Sequence, residues 1–293
     1  MPPKTVSLVL GSGGARGHAH IGVIRALEER GLEIRNIAGT SMGAVIGGVY
    51  AAEELDTYTD WAESLTKRDV MRLLDLSFTW TSIFKGDRVI GVLKELIGDR
   101  QIEDLNRGYT AVATAIDEQR EVWINKGSLF TAIRASTAVP GVFAPIEVDG
   151  RVLVDGGLVN PIPIAPTLND ATDLTVAVNL NAIADRHEKS NSTTTPAPSD
   201  ESEGYHKAIV KFLDNLIGQD EQADATPDAA ELLTKSIDVM QGAIARLKLA
   251  AYTPDIVVNI SRDAASFFEI YRASELKDLG YERANEALDN YLG

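Results

Sequence analysis

Gly39-Thr40-Ser41-Met42-Gly43 places a serine between two glycines at the spacing that presents a hydroxyl at the tip of a sharp turn. Gly11-Ser12-Gly13-Gly14-Ala15-Arg16-Gly17 is a run of backbone N–H groups with little side chain in front of them, suited to a developing oxyanion. Within it, Arg16 can either support the loop or bind a substrate phosphate. A third stretch, Asp155-Gly156-Gly157, sets a carboxylate beside two glycines. A serine that attacks a carbonyl needs a base to take its proton, and the candidates are Asp155 and four histidines, His18, His20, His187 and His206. Each stretch also has a plain reading, because Gly, Ser and Asp are ordinary turn residues. Their place relative to strands and helices tips the balance towards chemistry.

The elements are legible around them. Val6 to Leu10 reads as a short apolar strand, the glycine loop follows it, and His18 to Arg30 has a helical pattern closed by Gly31. Ile34 to Ala38 is a second strand, and Gly43 to Ala52 a second helix that starts directly after the serine. This is a βαβ unit, hence a parallel sheet with helices on its faces. At the C-terminal edge of such a sheet the loops after neighbouring strands face one crevice. Nucleophile and N–H cradle are therefore expected side by side, with the positive end of the second helix aimed at the serine. Gly39 and Gly43 allow the elbow to close. Asp149-Gly150 between alternating apolar residues predicts a hairpin whose second strand ends at Asp155.

Several function classes fall away. A net charge of −15 argues against nucleic acid and against tight docking on anionic lipid. The absence of cysteine removes thiol catalysis, disulfides and Cys-based metal sites. The glycine loop does not fit a dinucleotide: counting six from Gly11 ends on Arg16, counting from Gly13 ends on His18, and the register ending on Gly17 begins with Ser12. No close histidine–carboxylate set stands out, so neither a metal nor a cofactor is implied. With no signal-like opening and no apolar run near the roughly 20 residues of a membrane span, the expected location is cytoplasmic, with peripheral contact at a membrane left open.

The glycine loop ending in Arg16-Gly17, the Gly39 to Gly43 elbow, the stretch Ala135-Ser136-Thr137-Ala138-Val139-Pro140 and Asp155-Gly156-Gly157 together resemble the patatin-like phospholipases. Among these the bacterial members related to the neuropathy target esterase catalytic domain are most similar. The likeness continues through Asn160-Pro161, a late strand at Asp255 to Val258 and the closing helix with Leu279-Gly280-Tyr281. It implies a three-layer α/β/α fold with a mostly parallel central sheet, and a serine–aspartate dyad that hydrolyses lipid acyl esters. On that resemblance Ser41 is the nucleophile and Asp155 its base. Gly13, Gly14 and Ala15 form the oxyanion hole, and Gly156 and Gly157 shape the dyad turn. Gly11 and Ser12 stand where plant members often have Asp and Gly, a difference of loop detail.

Chemistry independent of the name favours the same pair. A general base must be held within about 2.6 to 3.2 Å of the proton it takes, and a histidine in or beside a polar segment such as Asp185 to Gly204 is poorly held. His187 and His206 would formally complete a Ser41, Asp155, His order, yet a strand end and an elbow suffice for a direct dyad. An aspartate in water is a weak base, so the site should be partly desolvated. His18 and His20 read as structural.

The remaining chain is expected to form one domain over residues 1–293, with a disordered acidic insertion at 185–204 and a helical insertion at 205–250. Residues 185–231 hold eleven acids against four bases, seven of the fifteen net negative charges. Val70 to Phe84, dense in apolar residues but weak in secondary-structure signal, is expected as buried loop or helix packing; the other reading is an apolar lip for an acyl chain or a membrane. Tyr205 to Ile217 has an apolar helical face that packs on the domain or forms a lid. The function expected is a phospholipase A or lysophospholipase-like serine esterase. Its partners are phospholipid, lysophospholipid or another acyl ester. The alternatives are a soluble carboxylesterase or thioesterase, and a non-catalytic lipid- or anion-sensing module.

Overall fold

β1, Thr5–Leu10, is buried along its whole length, as a Val- and Leu-rich central parallel strand covered on both faces should be. A 3-10 turn at Gly14–His18 leads into α1, Ala19–Glu29, which returns the chain to β2, Glu33–Thr40. β2 lies parallel to β1 with Leu10 opposite Gly39, so the glycine loop and the serine turn leave the sheet side by side. α2, Met42–Ala51, and α3, Leu55–Ser64, follow. The computed structural model describes residues 3–73, 76–79, 82–84, 87–183 and 229–292.

Beyond α4, Lys67–Leu73, come two short strands, β3 at Leu76–Thr79 and β4 at Ser82–Phe84. They pair antiparallel, and β4 pairs parallel with β7, Gly141–Phe143, in a separate three-stranded sheet. The expected loop or helix over Val70 to Phe84 is thus only partly found. Strands this short lack a sequence signal, because the neighbour that completes their pairing lies about sixty residues away along the chain.

α5 spans Asp87–Ile97 and is closed by Gly98. β5, Gly108–Ala115, and β6, Arg120–Ile124, form an antiparallel pair, and α6 spans Leu129–Ser136. The Asp149-Gly150 turn has both residues at positive φ and joins β8, Ile146–Val148, to β9, Arg151–Asp155, as the hairpin pattern predicts. The main sheet runs β11-β10-β1-β2-β5-β9-β8, with β6 on β5; β10 is Leu174–Ala182 and β11 is Ile256–Ser261. From β11 to β5 all pairings are parallel, while β9 turns back antiparallel to β5.

Alternation along the strands divides the core into two faces. Leu8, Leu10, Ile37 and Val178 join residues of α1, α2 and the last helix, here α8, Ala273–Leu292, on one face. Val9 and Ala177 point the other way, onto Ile162, Ile164 and Ala245 of α7, Ala229–Tyr252. Helices thus cover both faces, giving the three-layer α/β/α arrangement. Each large aliphatic side chain buried in these layers contributes about 1.5 to 3 kcal/mol relative to exposure.

The chain divides into two compact units, Met1–Ile183 with Gln241–Gly293, and Ala184–Met240. The first holds everything above except the beginning of α7, and of the second only residues 229–240, all helical, are described. The expected acidic insertion at 185–204, the helix at 205–217, His187 and His206 lie outside the described residues. Among the described residues no helix is long and apolar enough to cross a membrane.

Candidate active site

The sheet register explains why Ser41 and Asp155 meet. Thr40 sits opposite Val112 of β5, and the next residue of β5, Ala113, sits opposite Asp155 of β9. Because β9 runs backwards relative to β5, its C-terminal end arrives at the edge where β2 delivers the serine. Thr114 Oγ1 donates to the Asp155 carbonyl at 2.9 Å, and the Asp155 N–H donates to Ala138 O at 2.9 Å. The carboxylate is therefore held by a strand end tied on both sides.

Ser41 has φ 56° and ψ −125°, a conformation L-residues rarely adopt. The strain is supported from three sides. Its N–H donates to Ser136 Oγ at 2.9 Å, and that hydroxyl donates to Val112 O at 2.6 Å. Its carbonyl accepts the Ala44 N–H at 2.9 Å, so α2 starts without an intervening residue. Beneath the turn, a Cβ on Gly43 would overlap the Leu10 carbonyl, which is why glycine is needed there. The unpaired N–H end of α2 consequently lies beside the hydroxyl.

Asp155 is 3 % exposed and Ser41 6 %. One carboxylate oxygen, Oδ1, accepts the Gly157 N–H at 2.7 Å. Oδ2 is buried without a hydrogen bond of normal geometry. Burial pushes the Asp155 carboxyl up to about 6, and the Ser41 hydroxyl and the Gly157 N–H oppose that rise as neighbouring donors. The Ser41 hydroxyl thus lies within the influence of a desolvated carboxylate, the pairing that general-base activation of a serine calls for.

The glycine loop is anchored at most of its N–H groups. Gly11 donates to Val178 O, Ser12 to Pro161 O, Ala15 to Phe267 O at 3.0 Å and Arg16 to Gly13 O. Among the described residues no acceptor takes the N–H of Gly13 or Gly14. Of the expected oxyanion trio, the Ala15 donor is engaged by Phe267 O, so that residue is set aside as a donor. Gly14 has φ +55°, and a Cβ there would strike the Phe267 ring. Arg16 is buried and donates through Nη1 to Arg262 O at 2.6 Å. It ties the loop to the segment after β11, so of its two expected roles the geometry fits loop support and not a phosphate contact.

His18 and His20 are both fully buried beneath this loop. His18 bonds Ala15 O through Nδ1 and Tyr58 Oη through Nε2, and His20 bonds Gly11 O through Nε2 at 2.9 Å. Desolvation lowers both to about 4. They are neutral struts for the loop carbonyls. Ser136 is a residue that motif reasoning singled out without a role. Its signal was there, in Ala135-Ser136-Thr137-Ala138, but its two partners sit 95 and 24 residues away.

Comparison with known proteins agrees with this architecture. Residues 8–168 match the family model described as patatin-like phospholipase. An uncharacterized NTE family protein of Mycobacterium tuberculosis is 39 % identical over 98 % of this chain and 92 % of its own length. Human patatin-like phospholipase domain-containing protein 6 is 38 % identical over 60 % of this chain and 13 % of its own length. Mouse patatin-like phospholipase domain-containing protein 7 is 35 % identical over 61 % of this chain and 14 % of its own. These relatives support lipid ester hydrolysis as the general activity. With a family match over more than half the chain and a relative aligned nearly end to end, the chain belongs to the patatin-like phospholipase family, in its NTE-related branch.

Proposed function

We propose that this protein is a serine lipid acyl hydrolase in which Ser41 forms a covalent acyl intermediate and Asp155 is the base. The observation that carries the reading is the pairing of a strained elbow serine with a buried carboxylate whose pKa has risen towards neutrality. Ser41 Oγ attacks the carbonyl carbon of a phospholipid or lysophospholipid acyl ester while Asp155 Oδ2 takes its proton. The resulting oxyanion is held by the N–H groups of Gly13 and Gly14 and by the N-terminus of α2. As the tetrahedral species collapses, Asp155 returns the proton to the departing alcohol oxygen, leaving acyl-Ser41. Water then attacks that ester, Asp155 takes one of its protons, and the fatty acid leaves as Ser41 recovers its own.

A carboxylate near 6 suits both halves of the cycle. It is ionised at neutral pH, yet far more basic than an aspartate in water. The test is to map the adduct of a fluorophosphonate by mass spectrometry on wild type, Asp155→Ala and His206→Ala, alongside hydrolysis of a short acyl ester and of phospholipid micelles. Labelling at Ser41, loss of turnover in Asp155→Ala and survival in His206→Ala support the dyad. A dead His206→Ala with a sound fold would replace the dyad by a triad. No labelling of Ser41 would remove the covalent mechanism.

A further inference from the structure

Gln241 lies on α7, outside the residues matched by the family model, and belongs to no motif. Its side chain nevertheless reaches the site. Ser12 Oγ donates to Gln241 Oε1 at 3.2 Å. On the opposite side of that amide lies the turn that carries the base. The point where a Cβ on Gly157 would sit is 2.7 Å from Gln241 Nε2, 2.9 Å from Asp155 Oδ1 and 3.0 Å from Ser12 Oγ. Polar atoms from the glycine loop, the base turn and α7 therefore converge on one small space, kept open by glycine.

The surroundings make this a fixed contact. The Ser12 N–H donates to Pro161 O at 2.8 Å and its carbonyl accepts from Asn181 Nδ2 at 3.3 Å, so the residue is clamped on both backbone sides. One turn further along α7, Ala245 is buried against Val9 and Ala177 of the sheet. Gln241 is thus presented from a helix seated on the core, a firmer support than a loop. An amide also suits both neighbours. Its carbonyl accepts from the Ser12 hydroxyl, while its NH₂ lies on the Gly157 side of the space and adds no charge there.

Resting on the esterase reading above, we propose that Gln241 is a positioning residue of the reaction: its amide ties the glycine loop to the Asp155 turn and fixes the spacing between the Gly13 and Gly14 donors and the base. Displacements of about 1 Å in such spacing can cost roughly 100-fold in rate. The groups acting on the Asp155 carboxylate, the Ser41 hydroxyl and the Gly157 N–H, are both uncharged. A glutamate at 241 would keep an acceptor for Ser12 but bring a negative charge to bear on the base.

The experiment measures kcat and KM on a short acyl ester across pH 4.5 to 8.5 for full-length wild type, Gln241→Ala, Gln241→Glu, Ser12→Ala and the Ser12→Ala/Gln241→Ala double variant, with melting curves and fluorophosphonate labelling. The expected loss in kcat for Gln241→Ala is about 10- to 100-fold with KM nearly unchanged. Ser12→Ala should lose a similar factor, and the double variant no more than the worse single one, since both remove the same bond. Gln241→Glu should move the acid limb of kcat/KM up by about one pH unit, a change that helix packing alone would not produce. Should Gln241→Ala fail to fold, that limb decides. Losses that multiply in the double variant, or a Gln241→Glu limb coincident with wild type, overturn the proposal while leaving the esterase reading intact. A wild type that neither labels nor turns over removes both.

Discussion

Replacing Asp155 by asparagine should abolish turnover and make the fold more stable, and the gain should grow with pH. In the folded protein the carboxyl titrates near 6, against an ordinary value of 3.8, because burial is only partly offset by two neutral donors. A folded pKa above the unfolded one means that the native state binds the proton more tightly. Stability from this group is complete below about pH 4 and is lost as pH rises through 6. Linkage then puts the stability lost, relative to low pH where both states are protonated, at about 1.5 kcal/mol at pH 5 and about 3 kcal/mol at pH 8. Asparagine keeps an acceptor for the Gly157 N–H but buries an NH₂ group, which costs about 1 kcal/mol if it finds no partner. The net expectation is a variant about 2 kcal/mol more stable at pH 8 and near wild type at pH 5. Urea unfolding at the two pH values measures it. An Asp155→Asn effect of the same size at both, or a loss at pH 8, would refute the claim that an ionised, desolvated carboxylate sits in this site.

Further outcomes follow from the same geometry. The acid limb of kcat/KM should fall with a midpoint near 6, where the Asp155 carboxyl titrates, and not near 4 as for an exposed aspartate; a pH-rate profile on a soluble ester checks it. Ser136→Ala removes the acceptor of the buried Ser41 N–H and a donor to the Val112 carbonyl, and should cost about 1 to 3 kcal/mol in urea unfolding and lower kcat with little change in KM. His18 and His20 are held neutral with pKa near 4, so the unfolded chain binds their protons first; stability should be complete above about 6.5 and fall by about 3 kcal/mol per histidine as pH drops to 4. Unfolding curves for His20→Gln should show a shallower decline over that window than wild type. Gly156→Ala drives a Cβ into the Val112 carbonyl and should remove labelling of Ser41 by displacing the base turn, read by the same mass-spectrometric mapping.

What was legible in the chain, and what was not, divides by sequence distance. The elbow, the glycine loop and the Asp149-Gly150 hairpin are local: a few neighbours determine the turn, so the places of Ser41, Gly13, Gly14 and Asp155 at loop and strand ends could be read from residue types and order, and the resemblance to the family suggested their roles. The engagement of the Ala15 N–H could not, because its acceptor, Phe267, lies about 250 residues further on. Ser136 and Gln241 are hidden for the same reason. Each is an ordinary polar residue on a helix, and its meaning comes from the element that the sheet order sets beside it, β5 for Ser136 and the glycine loop for Gln241. The short strands β3 and β4 escaped notice because their pairing is completed by β7. The register that joins Thr40 to Val112 and Ala113 to Asp155 is likewise a property of the assembled sheet. In the proposed mechanism the motifs supply the reacting atoms, but the distances between those atoms are set by contacts that no motif announces. That asymmetry predicts where substitutions will separate rate from binding: at Ser136 and Gln241, which touch the machinery without belonging to it.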